Sequence, residues 1–210
     1  MIVLALDTAS PRSSVAVLAG ERLVEEPLPA DRRASEELLG AVQRALARAG
    51  VRLADCSRLA VCSGPGSFTG VRVGLATAWG FGRALGVPVE PVPTLEALAE
   101  SAREAGLRSC LAALDAGHGE AIARRFALDG PRAKPIGESV RVPASALPSL
   151  AAADPVAALP PELCPGAVPL EASPAAAMAS AVARRPSPGL EPLRAVYARP
   201  SAAEEKRGTA

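Results

Sequence analysis

Gly64-Pro65-Gly66-Ser67-Phe68-Thr69-Gly70-Val71-Arg72 joins an apolar run, Leu59–Ser63, to a stretch of helical spacing from Val71 to Leu85. Glycines between a strand end and a helix start allow a tight backbone turn, and free N–H groups there can cradle an anion. The segment is not a Walker A loop: the G-x-x-x-x-G-K-[ST] spacing fails and no lysine follows to reach a phosphate. Residue chemistry alone supports a structural turn and an anion site equally.

Downstream, Gly70, Gly74, Ala78, Gly82 and Gly86 fall at steps of four and leave one helix face nearly bare. Each interior glycine costs on the order of 1 kcal/mol against alanine. Close approach of another backbone offsets such a cost, and the candidates are the protein's own sheet and a partner's helix. Upstream, Ile2–Leu6 reads as a buried strand ending at Asp7, and Val15–Leu18 and Arg22–Glu25 as a hairpin turning at Ala19-Gly20-Glu21. Ser35 reads as the N-cap of a helix to Ala49, with Glu36 and Glu37 favouring its positive end and Gly50 stopping it. Leu38, Leu39, Val42 and Leu46 lie on its apolar side. Strand, hairpin, helix, strand, glycine turn, helix is a mixed α/β order.

Thr94 reads as the cap of a third helix to Glu104, Ser109–Leu114 as a strand ending at Asp115, and Ala121–Leu128 as its hairpin partner. Leu114-Asp115 echoes Leu6-Asp7, a faint internal duplication with its boundary near Gly106. The expected units are residues 1–105 and a reduced second unit, 106–210. Twelve of the 21 prolines lie between Pro143 and Pro200, which limits that half to short elements. Residues 204–210 read as a frayed tail.

Composition narrows the function. A net charge of +1 argues against a polybasic nucleic-acid binder, and three Phe, one Tyr and one Trp argue against a base-stacking platform. His118 is the single histidine and sits between glycines in a turn, so no pair of histidines can share a metal, and any Ser-His-Asp or Cys-His set would have to use this one loop residue. Cys56, Cys62, Cys110 and Cys164 show no C-x-x-C pairing and read as small buried hydrophobes. The first residues lack a basic signal region, and no apolar run approaches the roughly 18 residues of a membrane span. These features point to a cytoplasmic protein.

Asp7-Thr8-Ala9-Ser10 forms a polar turn similar to the one that surrounds nucleotide phosphates in actin-like ATPases. With Ile2–Thr8, the Ser35-Glu36-Glu37-Leu38-Leu39 helix, GPGSFTGVRVG (Gly64–Gly74) and Pro93-Thr94-Leu95-Glu96-Ala97-Leu98-Ala99, the chain resembles the bacterial TsaB (YeaZ) family. The resemblance is dense over the first 100 residues. It thins later to Asp115-Ala116 and to Pro192–Arg199, and it is hard to follow across Pro143–Pro192. The family's Asp-Ala-Arg turn with a following Val-Tyr pair reads Asp115-Ala116-Gly117 and Ala121-Ile122 here, which puts that turn's family role in doubt.

The resemblance implies an actin-like (ASKHA) fold of two related subdomains, the second reduced. It implies a non-catalytic role in making tRNA N6-threonylcarbamoyladenosine, beside a TsaD-type transferase and a TsaE-type ATPase. Homodimers, tRNA contact through the complex only, and ATP or ADP at the complex level rather than in this chain are also implied. A TsaD-type protein uses an H-x-x-x-H metal motif, which a chain with one histidine cannot contain. The resemblance marks Asp7, Thr8, Gly64, Gly66 and Ser67 as a vestigial phosphate loop. It turns the stripe toward a partner, with Leu38, Leu39, Val42, Leu46, Gly74, Ala78 and Gly82 as interface residues. The rival expectation is an active actin-like ATPase or small-molecule kinase with Asp7, Thr8, Gly64 and Gly66 around the phosphates.

Overall fold

The computed structural model describes residues 1–29, 33–186 and 194–195. The expected tail over 204–210 and most of Pro192–Arg199 lie outside the described residues.

Strands β1 (Ile2–Asp7), β2 (Ser14–Ala19) and β3 (Arg22–Pro27) form an antiparallel meander, followed by helix α1 (Ala34–Ala49). Strand β4 (Arg58–Cys62) lies parallel to β1 and leads through the glycine turn into α2 (Phe68–Leu85). Strand β5 (Val89–Val92) and helix α3 (Thr94–Glu104) complete the first half, whose sheet order is β3-β2-β1-β4-β5. Strands β6 (Ser109–Gly117), β7 (Glu120–Ala127) and β8 (Lys134–Pro143) form a second meander. After the one-turn helix α4 (Leu147–Ala151), β9 (Val156–Leu159) pairs parallel to β6, giving the order β8-β7-β6-β9. The second sheet thus repeats the first with one strand fewer, and Asp7 and Asp115 stand near the corresponding ends of β1 and β6.

The first sheet is buried on both faces, which is why β1 reads as an unbroken apolar run. Leu4 and Leu6 point to one side with Val15, Val17, Leu59 and Val61, under α1 and α2. Val3, Ala5 and Ala16 point to the other, against Met178 and Val182 of α5 (Pro174–Ala183). Alanines dominate α5 where it meets β1 and β2, and they let the helix lie close to the sheet. Helix α3 packs on α5 and on β6, with Leu95 and Leu98 meeting Cys110, Leu114 and Phe126.

Several local expectations change. Helix α1 begins at Ala34 with Arg33 at its N-cap and no side-chain cap, so Ser35 is already helical. Helix α2 begins three residues before Val71, because Ser67 caps it by accepting the Gly70 N–H at 3.2 Å. Pro93, not Thr94, stands at the N-cap of α3. In the proline-laden half, Pro174 opens α5 at a position where its missing N–H has no intrahelical partner, and the proline-free residues that follow complete ten residues of helix.

Candidate functional site

Because β1 and β4 are parallel neighbours, the turns that leave their C-terminal ends meet. In an open α/β sheet such a crevice is where ligands bind. Here the two turns lock onto each other. Asp7 is fully buried, and its Oδ1 accepts the N–H groups of Ala9 (2.9 Å) and Ser10 (3.0 Å) while Oδ2 accepts the Ser10 hydroxyl (2.5 Å). Burial pushes the Asp7 carboxyl above its ordinary range, and the donors from Ser10 and Ala9 pull the other way. Burial and the neighbouring Asp7 charge push the Cys62 thiol well up.

From the glycine turn, the Ser67 N–H donates to the Ala9 carbonyl at 2.8 Å, and the Thr8 hydroxyl donates to the Gly70 carbonyl at 2.6 Å. A Cβ on Gly66 would stand 2.2 Å from the Ala9 oxygen, and one on Gly74 would stand 2.4 Å from Thr8 Oγ1. Gly64 has φ +95°, and its carbonyl accepts the Thr94 N–H at 2.8 Å. Asp7, Thr8, Gly66 and Ser67 are therefore brought together, while Gly64 ties the turn to α3. A carbonyl of the protein fills the concave side of the glycine turn, and the carboxylate that would face a metal–phosphate group is sealed within its own turn. These residues do not fit a nucleotide's phosphates between the two turns. Beside them, Thr8, Ser10, Ser13, Arg33, Ser67 and Thr69 help line a cavity of about 390 Å³ at the N-terminal ends of α1 and α2.

The expected partner face is corrected by burial. Leu38, Val42 and Leu46 are buried in the protein's own core, together with Ala78. Gly74 and Gly82 lie against the sheet, where their Cβ positions would meet Thr8 and Val61, and Val89 and Leu59, respectively. Of the named set only Leu39 is exposed, at 56%. Gly86, at φ +67° with open space around it, is the C-cap of α2 rather than part of a packed stripe. Step-four spacing identified a face that needs close approach, but the approaching surface is internal. Trp79, exposed at 59%, lies one residue past Ala78 and so off the step-four stripe, and the spacing of the small residues carries no signal for it.

His118 takes φ +56° in the β6–β7 turn, where the Asp115 carboxylate accepts the Gly117 N–H at 2.7 Å. Among the described residues no three His, Cys, Asp or Glu side chains converge in a way that could hold a metal ion. All four cysteines are free and buried, and no helix among the described residues is long and apolar enough to cross a membrane.

Comparison with known proteins matches these features to a family. The profile described as "TsaD: tRNA N6-adenosine threonylcarbamoyltransferase" matches residues 25–161. The tRNA threonylcarbamoyladenosine biosynthesis protein TsaB of Escherichia coli is 38% identical over 121 residues, 57% of this chain and 52% of that protein. An uncharacterized protein of Mycobacterium tuberculosis is 42% identical over 99 residues, 46% of this chain and 47% of that protein. The chain spans about half the length of the curated relatives it matches. The structure of YeaZ from Pseudomonas aeruginosa superposes with a TM-score of 0.76 at 28% identity, covering 93% of this chain and 99% of that one. With its repeated β-meander sheets and the interlocked Asp7 and glycine turns, the chain has an actin-like fold and belongs to the TsaB/YeaZ family.

Proposed function

We propose that this chain is a non-catalytic subunit of the machinery that makes tRNA N6-threonylcarbamoyladenosine, and that it binds and supports a TsaD-type transferase. One observation carries the reading: the two turns that would grip a phosphate in an active actin-like enzyme hydrogen-bond to each other, with Asp7 sealed beneath them. The relatives named for threonylcarbamoyladenosine biosynthesis supply the pathway. The proposed partner face is the outer side of α1 and α2, with Leu39 and Trp79 as its apolar anchors in place of the buried residues. An exposed tryptophan is a frequent anchor of a protein interface, and an exposed leucine adds apolar area to the same outer surface. The same face serves a homodimer, a TsaE-type ATPase joins at the complex level, and the complex rather than this chain meets tRNA in the cytoplasm. Residues 1–105 and 106–210 are the two duplicated units in this reading.

Depleting the protein and digesting total tRNA to nucleosides tests the proposal. Threonylcarbamoyladenosine falls if the reading holds, and a normal level in cells with no second copy overturns it. Titrating the isolated chain with ATP separates the kinase alternative: no micromolar binding and no turnover are expected.

A further inference from the structure

Away from the two turns, a cavity of about 420 Å³ opens where α3, β5, the 131–133 loop and the residues after α5 meet. Pro91, Pro131 and Pro186 form stiff walls, and Glu90, Glu96, Arg132, Arg184 and Arg185 supply the polar lining. The lining continues into a buried ion network. Arg185 donates to Glu90 (2.9 Å), Glu96 (3.0 Å) and Glu100 (2.8 Å). Arg58, from β4, donates to Glu90 (2.9 Å) and to the carbonyls of Val182 and Arg185 (2.7 Å each). Glu100, with no exposed surface, also accepts from Arg103 and from the Ala133 N–H, both at 2.8 Å. Arg184 pairs with Glu104 at 3.0 Å.

The network joins four carboxylates (Glu90, Glu96, Glu100, Glu104) to four guanidinium groups (Arg58, Arg103, Arg184, Arg185), and Arg132 adds a further cation at the cavity lining. Arg132 is exposed at the cavity rim, where no side-chain hydrogen bond holds it among the described residues and the Glu96 carboxylate of the same lining attracts it through space. Arg185 Nε is buried with no acceptor. Buried donors are normally satisfied, and arginine recognises planar or tetrahedral oxyanions through several N–H groups at once. We propose that this cavity binds a small oxyanion, a phosphate or carboxylate group of a small molecule, captured by Arg132 and Arg184 over the Arg185 network. The proposal stands independently of the role in tRNA modification.

Calorimetric titration of the full chain with inorganic phosphate, and separately with acetate, at ionic strength held constant with chloride, tests it. Saturable binding of at least one anion is expected, weakened tenfold or more in Arg132→Gln and unchanged in Arg22→Gln, an exposed cation on β3. Saturation by phosphate alone assigns a phosphorylated ligand, and saturation by acetate a carboxylate. Absence of saturation by either anion, or equal binding in both variants, overturns the site.

Discussion

A Cβ on Gly70 would stand 1.8 Å from the carbonyl oxygen of Thr8. That carbonyl belongs to the turn leaving β1, so Gly70, in the first turn of α2, is where the two connections are pressed into one unit. No flexible side chain can yield there, since the obstacle is backbone.

Gly70→Ala should therefore destabilise the fold by roughly 2–4 kcal/mol, in the range of core overpacking with backbone displacement. Gly80→Ala makes the contrast. It lies in the same helix with nothing within 4 Å of its Cβ position, and it should stabilise by about 0.5–1 kcal/mol through helix propensity. Urea unfolding of the two variants reads both signs, and equal shifts would contradict the close approach.

Asp7 gives a pH dependence of defined sign. Its folded pKa is raised by burial above the ordinary 3.8. The stability it contributes is complete below about 4 and is lost as pH rises through the raised folded value. Unfolding free energies of wild type and Asp7→Asn, measured across the acidic range, should show wild type gaining on the variant as pH falls through that window. A constant difference would mean that Asp7 titrates normally.

The corrected helix face separates two substitutions. Val42→Asp places a charge in the core and should unfold the chain, at a cost on the order of 3–5 kcal/mol. Leu39→Asp combined with Trp79→Glu alters exposed positions only, so the monomer should keep its melting temperature within a few degrees. Co-purification with a TsaD-type protein should nevertheless fail. If the double variant still pairs normally, the partner face lies elsewhere.

The cysteines should resist alkylation. Burial pushes Cys110 up to about 12, and burial with the nearby Asp55 charge pushes Cys56 up to about 11. All four thiols are buried, so iodoacetamide at neutral pH should label none of them until denaturant is added, as intact mass would show. Labelling of folded protein would indicate local opening.

Some elements were legible because their signals are local. The apolar runs of β1 and β4, the hairpin of β2 and β3, and the apolar spacing of α1 each follow from residues a few positions apart. Strand β8 was not legible: it is an edge strand, mostly exposed, and so lacks the apolar alternation that marks a half-buried strand. Strand β5 carries Pro91, which an edge position tolerates and a central one would not.

The glycine turn divides in the same way. From its residues alone, Gly64–Arg72 had to be a tight connection between strand and helix, and the helix beyond it had to carry a face that something approaches closely. Glycine content states that demand without naming the neighbour. Only the tertiary structure set the Thr8 and Ala9 carbonyls against Gly70 and Gly66, because β1 and β4, more than 50 residues apart in the chain, pair in parallel. The same packing turned Leu38, Val42 and Leu46 inward and left Leu39 and Trp79 outside. Helical periodicity fixes which residues share a side; which side is buried depends on what the rest of the chain places against it.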